Sequence, residues 1–202
     1  LLLGNFANII ILLSRFIAGL DDSNSIIFFN YSVVLLNVLL TAIILNLNTI
    51  VLRRLSIKKD IRLVIFSGFS ALFLGLGLVF IINSYGFEII QFIFQRGAFT
   101  LDDTLSTLAY AKDLSYSFVL IFIASALFQP FFSMDQNLIK KESIIMARIL
   151  LLVIVSLFVM FNCFSLTSRD NSLIMIYSLS ILSMILSVFS VYKYFTTKIP
   201  NK

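Results

Sequence analysis

Residues 63–82 read LVIFSGFSALFLGLGLVFII, twenty consecutive residues without a charged side chain. A helix of that length, at about 1.5 Å per residue, crosses the roughly 30 Å hydrocarbon core of a bilayer. Because the segment is apolar around its whole circumference, lipid suits it better than the surface of a soluble protein. The stretch therefore predicts a transmembrane helix.

The rest of the 202-residue chain has a similar character. It is 60% hydrophobic and 12% charged, with a mean hydropathy of +1.05, whereas soluble domains are about half apolar and a quarter charged. The predicted fold class is therefore all-α, a polytopic membrane bundle of about six transmembrane helices. The predicted spans cover residues 1–20, 26–52, 63–83, 104–128, 143–162 and 172–192.

Several kinds of chemistry are disfavoured by what the chain contains. It has no His and a single cysteine, Cys163, so it offers neither an internal disulfide nor the usual ligands of zinc. It also has no Walker-type loop and no GxGxxG motif. We therefore expect no enzymatic activity, no cofactor and no bound metal.

The net charge of +5 has its explanation in membrane topology, so no nucleic-acid partner is expected. Alternate connections between the predicted spans carry eleven basic residues on one side and two, Arg96 and Arg169, on the other. This asymmetry follows the positive-inside rule and places both ends of the chain in the cytoplasm. The chain opens at Leu1 rather than Met, and we expect it to be part of a longer protein. The eleven are Arg53, Arg54, Lys58, Lys59, Arg62, Lys140, Lys141, Arg148, Lys193, Lys198 and Lys202.

The connection after the third span is the longest and has local signals of its own. Residues 87–94 (FEIIQFIF) are apolar, with Glu88 and Gln91 on one helical face, a pattern that predicts a separate short helix lying flat on the membrane surface. Gly97 permits a turn. Thr100 and Asp103 then have the spacing of a capping box, which predicts the start of the next helix.

A polar stripe follows the second predicted span. Its members lie at offsets of 0, 7, 11 and 18, within about 20° of one line on a helix. Amides that face lipid are costly, so the stripe is expected to face a hydrated transport cavity or, alternatively, to hydrogen-bond neighbouring helices. The stripe consists of Asn30, Asn37, Thr41 and Asn48.

Ionisable residues inside the predicted spans are further site candidates. Arg15 lies in the first span, and Lys112 and Asp113 lie in the fourth. Such residues commonly mark ion or substrate pathways. Arg15 is close enough to the span end to reach the headgroups instead, and Lys112 and Asp113 point about 100° apart, so each needs a partner elsewhere.

Small residues recur at helical spacing in two spans and predict close helix packing rather than a binding site. They are Ser67, Ala71 and Gly75 in the third span, and Ser180, Ser183, Ser187 and Ser190 in the sixth.

The segment 94–104 (FQRGAFTLDDT), continued by Tyr116-Ser117 and by Phe131-Phe132-Ser133 with Asp135, resembles the MurJ/MviN family of lipid II flippases. The spacing of the six spans is also similar to that of the family's C-terminal lobe, transmembrane segments seven to twelve. The matching motif residues are Phe94, Gln95, Arg96, Gly97, Phe99, Thr100, Asp103, Tyr116 and Ser117.

This resemblance implies one lobe of a fourteen-helix transporter of the multidrug/oligosaccharidyl-lipid/polysaccharide (MOP) exporter superfamily in the bacterial inner membrane. The implied activity is alternating-access flipping of a polyprenyl-pyrophosphate-linked precursor in peptidoglycan biosynthesis, and hence a role in cell shape. The implied partners are the lipid-linked glycan precursor, membrane lipids, a missing N-terminal lobe and a coupling ion. Val34 stands where the family has a substrate-binding arginine, and Asn37 replaces an acidic residue, so the cationic character of this lobe is reduced.

Two other functions fit the same residues. A cation-coupled multidrug or polysaccharide-lipid exporter of that superfamily requires an intramembrane carboxylate, for which Asp113 is the deep candidate. A membrane assembly protein that transports nothing requires no polar cavity at all.

Overall fold

The structure, a computed structural model, describes residues 6–20, 23–39, 45–57, 61–134, 136–163 and 166–196. Within these ranges the chain is helical and contains no strand, so the prediction of an all-α bundle is confirmed. The helices are α1 (Phe6–Ala18), α2 (Ser23–Leu39), α3 (Leu45–Ile57), α4 (Ile61–Phe94), α5 (Leu101–Leu127), α6 (Gln129–Phe132), α7 (Gln136–Cys163) and α8 (Ser168–Thr196).

Four segments of the described chain are long and apolar enough to cross a membrane: α4, α5 together with α6, α7 and α8. The apolar helices α1 and α2 are shorter. The predicted second span, residues 26–52, contains most of α2 and the first part of α3, and residues 40–44 between them lie outside the described residues. The four long segments therefore have the length and composition of membrane-spanning helices.

The α4–α5 hairpin is built on close backbone approach. A Cβ placed on Gly75 would lie 3.2 Å from the Cα of Val119, and one on Gly86 would lie 2.7 Å from a methyl group of Leu108. In both pairs the residue numbers add to 194, so the two helices keep one antiparallel register over this length. The contact at Gly75 is with the Val119 backbone, whereas the one at Gly86 is with the end of the flexible Leu108 side chain, so the two backbones approach most closely at Gly75. Small residues at such positions permit close helix packing.

Helix α5 is the centre of the bundle, and α2, α4 and α8 pack around it. On α2 the Ser32 hydroxyl donates to the Thr107 carbonyl, and on α3 the Asn48 amide donates to the Ser125 hydroxyl. The sequence separations of these two pairs are 75 and 77. Helices α2 and α3 therefore follow α5 in the same direction, as expected of one span.

Helix α7 lies at the periphery. Its buried side chains are Glu142, Met146, Leu150 and Leu157, which form one stripe. The opposite surface leaves Leu152 70% exposed. Because hydrocarbon solvates leucine well, this face is compatible with lipid contact.

The expected separate helix over residues 87–94 is corrected by the structure. These residues are the last turns of the 34-residue helix α4. No proline interrupts residues 83–94, and Gly86 is accommodated because Leu108 packs over it. Helix propagation therefore continues instead of stopping at the polar Asn83 and Ser84.

The small residues lie in packed positions, as predicted. Ser67 and Ala71 on α4 are fully buried. The four α8 serines are also buried, and each donates its hydroxyl to a carbonyl of its own helix. They permit close approach through their size and satisfy their hydrogen bonds locally.

We expect Gly75→Leu to destabilise the α4–α5 hairpin by about 1 to 3 kcal/mol, since the new side chain overfills a tight contact. The measurement is the unfolding midpoint of the purified protein in detergent. Gly77→Leu is the matched control, because a Cβ on Gly77 meets no described neighbour within 4 Å. Equal midpoints for the two variants would contradict the close-approach argument.

Candidate functional site

A charged cluster joins α5 to the start of α8. The Arg169 guanidinium donates to the Asp113 carboxylate over 2.8 Å and lies 4.9 Å from the centre of the Tyr110 ring. The Tyr177 hydroxyl donates to the Asp113 backbone carbonyl. We call these four residues the Asp113–Arg169 cluster.

The local sequence explains how the cluster forms. Thr167 caps α8 by accepting from the Asp170 amide and donating to the Asp170 carboxylate, so α8 begins at Ser168 and Arg169 lies in its first turn. Tyr177 is eight residues further along α8. From there it reaches the same point on α5 as Arg169, so the cluster fixes the start of α8 against α5.

The exposure of the ion pair limits its contribution to stability. The side chain of Arg169 is 43% exposed and that of Asp113 is 40% exposed. Ion pairs in contact with water contribute about 0 to 1 kcal/mol. The Asp113–Arg169 ion pair therefore adds little to the stability of the bundle. It is accessible, and a phosphate could replace the Asp113 carboxylate on Arg169.

Only part of this cluster is predictable from the sequence. Asp113 needs a partner outside its own helix, and Arg169 is that partner. Arg169 itself lies in a predicted connection, and no sequence pattern points to Tyr110 or Tyr177. Lys112 is half-buried beside the cluster. Arg15 is exposed in the last turn of α1, outside the cluster.

The residues of the polar stripe are placed differently from one another. Asn48 is buried, with its amide nitrogen 2.7 Å from the Ser125 hydroxyl. Its carbonyl oxygen is buried without a hydrogen-bond partner in the described part of the chain. Asn30 and Asn37 are half-buried on α2, and Thr41 lies outside the described residues. Asn48 thus lies at a helix contact in this conformation.

The family-like segment forms the α4–α5 connection. Gly97 has a φ of 68°, a conformation that other residues adopt only with strain. The predicted capping box is confirmed: Thr100 accepts from the Asp103 amide, and the Asp103 carboxylate accepts from the Thr100 amide and hydroxyl over 2.8 Å each. The chain therefore turns sharply between Gln95 and the start of α5.

An open aromatic pocket lies beside this turn. The Tyr31 ring of α2 lies 4.8 Å from that of Phe94 and 5.2 Å from that of Phe99. A pocket of about 560 Å³ is bounded by these three rings together with Arg96 and Asp103. Four residues of the family-like motif therefore share one surface with Tyr31 of α2. They are Phe94, Arg96, Phe99 and Asp103.

The remaining motif residues lie along α5 and just beyond it. Tyr116 is 52% exposed, and Ser117 is fully buried. Phe131 and Phe132 belong to the short helix α6 and meet edge to face. Asp135 lies outside the described residues.

A second ion pair lies at the other end of α8. Lys193 donates to Glu142 of α7 over 2.9 Å, and the Glu142 side chain is only 8% exposed. The other Glu142 carboxylate oxygen is buried without a hydrogen-bond partner among the described residues. Glu142 follows Lys140 and Lys141 in the sequence and was not predicted to be buried. Its spacing from Met146 and Leu150 nevertheless puts it on the buried face of α7.

Comparisons with protein-family models, with curated proteins and with solved structures find no match. Among the described residues, no group of three or more His, Cys, Asp or Glu side chains could hold a metal ion. The candidate site is therefore defined by its charges and aromatic rings.

We expect Lys193→Met to be markedly more destabilising than the double variant Glu142→Gln/Lys193→Met. Removal of Lys193 alone leaves the buried Glu142 charge unpaired, at a cost of about 1 to 3 kcal/mol or more. The double variant removes both charges. A double-mutant cycle of unfolding midpoints measures the coupling, and simple additivity of the single variants would show that the pair is not coupled.

Proposed function

We propose that this chain is one lobe of a flippase that moves a polyprenyl-pyrophosphate-linked cell-wall precursor, similar to lipid II, across the bacterial cytoplasmic membrane. The sequence resemblance supplies the substrate class. The observation that carries the proposal is the accessible Arg169 guanidinium, held beside Asp113 and Tyr110 in an otherwise apolar bundle.

The chemistry of this cluster favours an anionic substrate. Arg169 presents a planar fork of donors that suits a phosphate group, and its present partner is a carboxylate of the same charge type. Lys112 adds a second cation next to Asp113 in the chain. A pyrophosphate would therefore displace Asp113 from Arg169 and take over its hydrogen bonds.

The amides of α2 and α3 support a polar route along the bundle. Asn30 and Asn37 are half-buried on α2, and Asn48 is buried against α5. An Asn48 carbonyl oxygen without a partner among the described residues is costly in a dry contact. In our proposal this cost is relieved when α3 shifts against α5 during the transport cycle and water or a sugar hydroxyl reaches the amide.

The mechanism follows from what each part of the substrate prefers. The sugar and pyrophosphate cross between this lobe and a second one, which rock to expose the cavity to each side in turn. The polyprenyl tail stays in the bilayer, since hydrocarbon gains nothing by leaving it. In this proposal both chain ends are cytoplasmic, and the membrane potential or an ion gradient drives the cycle.

Arg169→Gln in the full-length protein should weaken precursor binding and flipping by about 10- to 100-fold, which corresponds to one charged hydrogen-bonding group. The assay is appearance of the precursor headgroup on the outer surface of reconstituted vesicles. Arg148→Gln, an exposed arginine of α7, is the charge-matched control and should flip normally. Normal flipping by Arg169→Gln would remove the central support for the proposal.

The competing functions predict different results for Asp113→Asn. In a flippase this change frees Arg169 and leaves flipping largely intact. In a cation-coupled exporter it abolishes proton- or sodium-coupled efflux. The ion pair supports the first outcome, because Arg169 already neutralises the carboxylate. A non-transporting assembly protein is indicated if the complete gene fails to restore precursor flipping in cells that lack it.

Cysteine accessibility tests the polar route. In a cysteine-free background, Asn37→Cys should react with a membrane-impermeant thiol reagent faster than Asn48→Cys in the resting protein, because Asn48 is the more buried. Addition of substrate should raise the reactivity of Asn48→Cys. If both positions stay unreactive in every state, the amides line no transport cavity.

A further inference from the structure

The aromatic pocket at the α4–α5 connection is separate from the transport site proposed above. It lies between the first half of α2 and the residues that follow α4, with Tyr31, Phe94 and Phe99 forming one wall. Its volume of about 560 Å³ is within the range of small-ligand sites.

The pocket has two chemically distinct sides. Ile27, Phe28 and Ile93 supply an apolar side, and Arg96 supplies a cation. Asp103 also borders the pocket, and Thr100 donates both hydrogen bonds described for its carboxylate, to Oδ2. Among the residues that line the pocket, Arg96 is therefore the cation, and Asp103 keeps its negative charge.

Exposed apolar side chains line the pocket or lie next to its lining residues in the chain. Of the lining residues, Ile27 is 45% and Ile93 44% exposed; of their chain neighbours, Phe92 is 76% and Leu101 51% exposed. A concentration of exposed large apolar side chains is unfavourable in water and favourable at a membrane interface. A ligand that reaches this pocket therefore comes from the lipid phase, where a long cation such as arginine extends toward the headgroups.

We propose that this pocket binds an anionic phospholipid of the surrounding membrane. The phosphate lies on Arg96, and the first part of an acyl chain lies along Ile27 and Ile93. The three aromatic rings form part of the pocket wall. The pocket prefers a lipid of net negative charge, because Arg96 gains less from a headgroup that carries its own cation.

The test uses site-specific photo-cross-linking in the full-length protein. The photoreactive residue p-benzoylphenylalanine is placed at Ile27 in the pocket or, as a bulk-lipid reference, at Phe73, which is 79% exposed on α4. The protein is reconstituted in equal amounts of phosphatidylglycerol and phosphatidylcholine, and mass spectrometry of the labelled peptide counts the lipid adducts. We expect the ratio of phosphatidylglycerol to phosphatidylcholine adducts to be about five-fold higher at position 27 than at position 73.

Arg96→Gln should bring the ratio at position 27 down to that at position 73, while Arg96→Lys keeps most of the preference. Arg54→Gln, an exposed arginine at the end of α3, should leave it unchanged. Equal ratios at the two positions, or a preference that survives Arg96→Gln, would overturn the proposal. A preference lost on addition of inorganic phosphate, at the concentration of the lipid, would assign the site to free phosphate instead.

Discussion

The close contact between α4 and α5 is the constraint on which the rest of the bundle depends. Gly75 and Gly86 let the two backbones approach, and this places α5 where α2, α3 and α8 can also reach it. The hydrogen bonds of Ser32 and Asn48, and the ion pair of Asp113, are all made to or from α5. In lipid, where hydrophobic burial gives little drive for helix association, such steric fit and polar contacts supply the specificity.

The two ion pairs define the two ends of α8. Arg169 and Lys193 are 24 residues apart, which corresponds to about 36 Å of helix. This is slightly more than the hydrocarbon thickness of a bilayer. The Asp113–Arg169 and Glu142–Lys193 pairs are thus separated by roughly the thickness of a bilayer. Their burial differs strongly, with the Asp113 side chain 40% exposed and that of Glu142 8% exposed. The Asp113–Arg169 pair therefore suits replacement of one partner by a ligand, and the Glu142–Lys193 pair suits a fixed helix contact.

Sequence reasoning succeeded where local chemistry decides structure. The apolar runs predicted the start of α4 and both ends of α7 and α8 to within seven residues, although α4 continues eleven residues past its predicted end. Thr100 with Asp103 predicted the start of α5. It failed at residues 87–94, because amphipathic spacing indicates a helix but does not say where the helix begins. It also missed the partnership of Asp113 with Arg169. Pairing between residues 56 apart depends on how two helices are oriented, which one sequence does not encode locally.

The shallow attachment of α7 has a consequence for the shape of the bundle. Only Glu142, Met146, Leu150 and Leu157 are buried on it, whereas α5 is enclosed along most of its length. Detaching α7 therefore uncovers less packed surface than detaching α4 or α8, the long helices that pack on α5. Helix α5 is packed on several sides, whereas α7 is packed on one. The cross-section of the bundle in the membrane plane is therefore most easily changed by movement of α7.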